Sequence, residues 1–244
     1  MYELVRLDAV DSVLDEARRR ARDGADEGCL VWAGRQTAAR TRRGRSWEAP
    51  DGNLHCALVL RPDYDDVAAA QLVYVMGVSV ASAIAGLVSP MTGLRFASPT
   101  ELLVNDLSAG RIDLAFAPAA RGQREWMAIA VSVNVGWHPP NPEPETFNSL
   151  HASGSPEVTV PALLEDVSRY FLSWINRWAD EGFEPVRRAW TARIGDRAEP
   201  VSIRVGELEA RGALTGLDPA GNIRLRGDGD GERSVGLARF LGIA

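Results

Sequence analysis

Apolar positions recur along this chain in two rhythms, and the change from one to the other falls near residue 193. Before that point helical spacing alternates with short strand-like runs. Residues 2–5 read as a short strand. Asp11-Ser12 offers an N-cap for a helix over 13–23, in which Leu14, Ala17 and Ala21 recur at helical spacing. Residues 28–32 and 54–60 are core strands, the second ended by Arg61-Pro62, since proline cannot continue a ladder. A long apolar helix follows over 67–87; Gly77, Gln71 and its serines suit a buried core helix better than a membrane span. Strands are expected over 94–97, 102–104, 112–117 and 127–135, with a turn over 105–110. Six prolines between 137 and 161 mark an irregular connection. An amphipathic helix then spans 162–182, with Leu163, Leu164, Val167, Phe171, Trp174, Ile175 and Trp178 three or four residues apart and Gly182 as its stop. A short helix over 186–192 closes this part.

From about residue 194 only strand-like runs remain, at 201–205, 207–218, 222–226 and 233–238, with a turn signal at Asp218-Pro219-Ala220-Gly221. The pattern predicts an α+β fold in two units, a mixed sheet flanked by helices over 1–193 and a small β-barrel over 194–244. At 244 residues and 45% hydrophobic content the chain has length enough for a sizeable core. A net charge of −6 argues against a general nucleic-acid binder. The two cysteines, Cys29 and Cys56, sit in or beside apolar runs with no metal-ligand spacing, so buried thiols and no structural metal are expected, as fits a reducing cytoplasm. The first residues lack the pattern of a secretory signal, and no membrane association is expected. The chain contains no lysine: all 27 of its basic residues are arginine, so no lysine chemistry can occur within it.

Against that charge balance, one segment is unusual. Arg35, Arg40, Arg42, Arg43 and Arg45 crowd eleven positions between two strand-like runs, and the loop closes on Asp51-Gly52-Asn53. Guanidinium groups match phosphate and carboxylate bidentately, so such a loop reads as an anion clamp, unless it is merely a solvated charge run. The order of its residues adds more. Gln36-Thr37-Ala38-Ala39-Arg40-Thr41-Arg42-Arg43-Gly44-Arg45-Ser46-Trp47, followed by Gly52-Asn53-Leu54, resembles the ligand-binding loop of biotin protein ligases, Q-x-x-G-R-G-R-x-G-R-x-W and then G-N-L. Ala39 and Thr41 replace two glycines. The chain is therefore similar to the biotin/lipoate protein ligase superfamily. Further on, Ser98-Pro99-Thr100-Glu101 resembles the family's W-P-N-D, with Arg111 in the place of the following Lys and Leu114 in that of a Gly. Residues 127–135 resemble G-I-G-I-N-V, keeping Asn134, with Ser132 replacing a glycine. Val201 onward resembles the C-terminal Src-homology-3-like domain of these ligases, which extends the likeness over residues 8 to 240.

The resemblance implies ATP-dependent activation of a small carboxylic acid, biotin or lipoate, as an acyl-adenylate, followed by transfer to a lysine of a biotinyl or lipoyl carrier domain. Ligand binding falls on Ser12, Gln36, Arg40, Arg42, Arg45, Trp47, Gly52 and Asn53, and nucleotide binding on Thr100, Glu101 and Asn134, with Glu101 as the carboxylate for Mg2+. Arg42 and Arg111 take the catalytic positions. Guanidinium is planar and larger than an ammonium group, so arginine in place of lysine is not conservative there. Two readings stay open: a ligase that works through Arg111, and a protein that binds an acid, nucleotide or carrier domain without efficient ligation. A thiol acyltransferase using Cys29 or Cys56 ranks below both, for want of a nearby histidine signal. The likeness also allows a homodimer through sheet edges, and without a helix-turn-helix segment no DNA partner is expected.

Overall fold

The computed structural model describes residues 2–40, 47–119, 124–140, 146–195, 200–205, 208–227 and 231–243. Seven strands form one mixed sheet: β1 (Glu3–Val10), β2 (Cys29–Gln36), β3 (Leu54–Leu60), β4 (Leu94–Ser98), β5 (Glu101–Val104), β6 (Leu107–Phe116) and β7 (Met127–Val133), in the order β1-β2-β3-β7-β6-β5-β4. β1 runs parallel to β2 and every other neighbouring pair is antiparallel. The parallel pair needs a crossover, and helix α1 (Val13–Arg22) supplies it.

Each face of the sheet has its own cover. Leu54, Cys56, Leu58 and Leu60 of β3 point, with Ile129, Val131 and Val133 of β7, into the larger core beneath α2 (Asp66–Leu87) and α3 (Val160–Glu181). Ala57 and Val59, with Ala128 and Ala130, face the other way, onto Val13, Ala17 and Ala21 of α1. Strand β3 is thus buried along its whole length, which explains its unbroken apolar run. Helix α2 is long and apolar enough to cross a bilayer, yet most of it is buried among its neighbours, as expected of a core helix.

Residues 105–110 do not form one long turn. Asn105 and Asp106, with φ of 50° and 65°, make a two-residue connection, and β6 resumes at Leu107. Both residue types tolerate left-handed backbone, so the pair suffices where the small residues of Leu107-Ser108-Ala109-Gly110 suggest a longer loop. The C-terminal run is likewise shorter in strand than expected: β11 (Glu232–Val235) gives way to a short helix, α5 (Leu237–Leu241).

That last unit is a four-stranded antiparallel sheet of β8 (Val201–Val205), β9 (Leu208–Leu217), β10 (Ile223–Arg226) and β11, in the order β11-β10-β9-β8, the small β fold of Src-homology-3 type. It packs on α2 and on α4 (Glu184–Thr191). Tyr74 Oη donates to the Gly221 carbonyl at 2.8 Å, and Gln71 Nε2 to that of Ala220 at 3.1 Å. Arg124 joins Asp66 to the Ile243 carbonyl.

Candidate functional site

Cross-strand partners share one face of a sheet. His55 of β3 stands opposite Ser132 of β7, Ser132 opposite Arg111 of β6, and Arg111 opposite Glu101 of β5. The register therefore lays a polar row, His55–Ser132–Arg111–Glu101, across four neighbouring strands. It lies on the face that α1 covers with Val13, Ala17 and Ala21, one strand repeat beyond the apolar pair Ala57 and Ala130. Here a cavity of about 320 Å³ opens. Glu101, Ser108, Arg111, Ser132 and Asn134 supply its polar wall, and Trp47, Pro139 and Phe147 its apolar one, with Ala109 and Gly110 between. The volume lies in the range of small-molecule sites.

The polar groups are held by one another. Arg111 Nε and Nη2 donate to the two carboxylate oxygens of Asp113 at 2.6 and 3.2 Å. Ser108 Oγ donates to Glu101 at 2.8 Å. Asn134 Nδ2 donates to the Asn148 carbonyl at 3.0 Å. His55, fully buried, meets Ser132 Oγ through Nδ1 and the Pro50 carbonyl through Nε2, each at 3.3 Å. Burial holds its pKa down at about 4. The indole of Trp47 stands edge-on to that ring, with centroids 5.8 Å apart.

Of the residues expected from sequence, Trp47, Glu101, Arg111 and Asn134 meet in this cavity wall. Gln36 and Ser12 form a second group at the base of the arginine loop. The Gln36 side-chain oxygen accepts from the Val13 amide at 2.9 Å, while its Nε2, although buried, has no partner among the described residues. Ser12 Oγ caps α1 by accepting from the Asp15 amide at 3.3 Å. The backbone of Gln36 is bridged to Ala49, and the Trp47 amide donates to the Ala39 carbonyl, so the loop is pinched at its foot. Arg40 is exposed at that foot; Arg42, Arg43 and Arg45 lie outside the described residues.

Three other positions have local work. Gly52 takes φ +93° in the turn before β3. Asn53 is 1% exposed: its oxygen accepts from the Val135 and Trp137 amides at 2.9 and 3.1 Å, and its nitrogen donates to the Trp137 carbonyl at 3.0 Å. Its side chain is thus a clamp between the entry to β3 and the exit of β7, which fixes Asn134. Thr100 sits in the β4–β5 turn, its hydroxyl 3.3 Å from Ser98 Oγ, and is not among the lining residues.

Sequence reasoning passed over His55, Ser108 and Phe147. His55 carried a signal, as the one polar residue in the run Leu-His-Cys-Ala-Leu-Val-Leu, but nothing in the chain shows that Ser132 stands opposite it. The thiols are elsewhere. Cys56 belongs to the core under α2 and α3, on the opposite face from the cavity, with its pKa pushed up to about 12 by burial, and Cys29 is buried against α1. Neither is placed as a nucleophile for this site. Among the described residues no three His, Cys, Asp or Glu side chains gather as a metal-binding group.

Known proteins share this arrangement of elements. The profile of the Biotin/lipoate A/B protein ligase family matches residues 45–192. The chain is 31% identical over 223 residues to the biotin–[acetyl-CoA-carboxylase] ligase of Paracoccus denitrificans, covering 89% of this chain and 91% of that one. It is 26% identical over 191 residues to the bifunctional ligase/repressor BirA of Bacillus subtilis, covering 77% of this chain and 58% of that protein's length. In fold it is similar to the biotin protein ligase of Aquifex aeolicus in complex with biotin and ATP, with a TM-score of 0.78 at 19% identity, over 97% of this chain and 96% of the other. A biotin protein ligase-like protein of unknown function from Silicibacter superposes equally well, with a TM-score of 0.78 at 23% identity, over 98% and 96% of the two chains. With a family profile matched over more than half its length and a near full-length relative above 30% identity, the chain belongs to the biotin/lipoate A/B protein ligase family.

Proposed function

We propose that the protein activates a small carboxylic acid of the biotin class with ATP and passes the acyl group to a lysine of a carrier protein. The observation that supports this most is the place of the cavity: it lies between Trp47, at the foot of the arginine loop, and the row Ser132–Arg111–Glu101. An acid and a triphosphate repel each other, so their joint binding needs cations, which the arginine loop carries in its sequence, and ordered polar groups, which the row supplies. Arg40, Arg42 and Arg45 are assigned to the acid and phosphates, and Arg111 to the charge that develops at the α-phosphate. Asn134 and Thr100 are assigned to the nucleotide. Glu101 serves the Mg2+ that arrives with the nucleotide, an ion commonly held by one or two carboxylates and by phosphate oxygens. Gln36 fits a ligand oxygen, because its buried Nε2 has no acceptor among the described residues. The acceptor lysine must come from another chain, as this one has none. The same reading divides the chain at about residue 193, between the acyl-activating unit and the small β unit.

A second reading has one specific observation behind it. Arg111 is already engaged by both oxygens of Asp113, so its charge is partly offset before any phosphate arrives. On that reading the protein binds the same ligands and ligates poorly. A thermal-shift titration with biotin and lipoate, each with and without Mg-ATP, and with a stable biotinyl-adenylate analogue, tests for the joint site. Saturation at 100 times the dissociation constant adds about 2.7 kcal/mol, and the analogue is expected to stabilise beyond acid or nucleotide alone. Pyrophosphate release then separates the readings: a ligase releases it, and Arg111→Ala slows that release by about 10²–10³-fold. Binding without release supports the second reading. No stabilisation by any of these compounds refutes both.

A further inference from the structure

Within the cavity wall the polar row ends in a hydroxyl, that of Ser132, whose polarity is set by its neighbour His55. The Pro50 carbonyl can only accept a hydrogen bond, so the His55 Nε2 that meets it at 3.3 Å carries the ring proton. The fully buried ring stays neutral, and its Nδ1 therefore presents a lone pair. Ser132 Oγ, 3.3 Å from that nitrogen, is the donor. Its single proton is committed away from the cavity, and only lone pairs remain for whatever lies inside. Trp47 packs edge-on against the ring at 5.8 Å and 68°, so the imidazole is confined from the cavity side as well. Next along the row stands Arg111, a donor group, which leaves Ser132 as the acceptor of this part of the wall.

We propose that Ser132 is a specificity-determining residue that demands an N–H or O–H donor from the ligand at this end of the cavity, and that His55 is the positioning residue that fixes this polarity. The inference rests on the ligand reading given above and narrows it. Biotin carries two ureido N–H groups, and adenosine carries ribose hydroxyls and an amino group; the dithiolane ring of lipoate carries no donor. A ligand acceptor in that place would set lone pair against lone pair, the kind of mismatch that discriminates between otherwise similar ligands. The pair is not arranged as a nucleophile and base. The imidazole Nε2 is hydrogen-bonded to a neutral carbonyl and not to a carboxylate, and a buried ring that resists protonation is a weak proton acceptor.

Isothermal titration of the full chain, S132A and H55F with biotin, lipoate and a non-hydrolysable Mg-ATP analogue tests the assignment. S132A is expected to weaken one donor-bearing ligand by about tenfold and to leave lipoate within about twofold. Whether biotin or the nucleotide analogue is the one weakened identifies the source of the donor. H55F keeps an aromatic ring against Trp47 but frees the Ser132 proton to turn into the cavity. It should weaken the same ligand, and the double variant should be no worse than S132A alone, as for two residues acting through one contact. Equal loss for all three ligands, or none for any, overturns the role of Ser132; additive losses overturn that of His55. If H55F does not fold, the selectivity of S132A still decides. Wild-type protein that binds none of the three refutes the ligand reading itself, whereas wild-type binding with an indifferent S132A refutes only this inference.

Discussion

Asn53 and His55, two positions apart, show how burial assigns work to polar side chains. Asn53 spends both ends of its amide on the backbone at the exit of β7, and so it builds the site without lining it. His55 is held neutral by burial, and that has a consequence for stability. Its pKa is about 4 in the folded chain against an ordinary 6.5, so between these values the unfolded chain binds the extra proton. Stability contributed by the neutral ring is complete above pH 6.5 and is lost as pH falls through 4. The loss reaches on the order of 3 kcal/mol for a shift of this size. Denaturant unfolding of wild type and H55F between pH 7 and pH 4 checks it: the wild-type curve is expected to fall more steeply, and parallel curves would remove His55 as the cause. The family resemblance implied a ligand role for Asn53 and none for His55, because a sequence does not show which neighbour a polar group will find.

At the scale of elements, α1 begins where two candidate ligand residues lie. Ser12 caps the helix, and the Gln36 side chain receives the next amide, that of Val13. Ser12→Ala is expected to cost about 1 kcal/mol of stability, the usual worth of an N-cap. If the cap is its whole role, biotin affinity stays unchanged within about twofold; a tenfold loss of affinity would make it a ligand contact as well. The helices were legible from periodicity, since α1, α2 and α3 lie within a few residues of the expected spans. Strand β6 was less so. Leu107-Ser108-Ala109-Gly110 has the small residues of a turn, yet it is ladder, and Gly110 serves close packing: a Cβ there would stand 3.1 Å from Leu102 Cβ. Two residues able to take positive φ, Asn105 and Asp106, do all the turning.

Across the whole molecule, one buried apolar cluster spans both sheets and holds Trp190 together with Leu217 and Ile223. Trp190 of α4 stacks on Phe96 of β4 with centroids 5.3 Å apart and meets Tyr74 of α2 edge-on at 5.2 Å. Tyr74 in turn bonds the Gly221 carbonyl, where φ of +92° lets the β9–β10 turn approach closely. Trp190→Ala is expected to cost about 3–5 kcal/mol, because the fully buried ring cannot be replaced by collapse of its neighbours. Loss of one cooperative denaturant transition, or a shift of its midpoint by that amount, would confirm the shared core. A change under about 1 kcal/mol would show that the Trp190 ring contributes little to that cluster.

The sequence by itself determined what depends on neighbours along the chain: the helical and strand rhythms, the change of pattern near residue 193, the absence of lysine, and an ordered arginine motif specific enough to name a family. Trp47, Glu101, Arg111 and Asn134 were found in this way, and the fold brings them into one cavity wall. Tertiary structure alone decided which residues oppose each other across strands. The period of a strand tells which side chains share a face, but its register is set by packing on both sides of the sheet and by turn lengths, and a slip of one residue reverses every face. The row from His55 to Glu101 exists because the register of β3, β7, β6 and β5 aligns four residues that lie up to 77 positions apart in sequence.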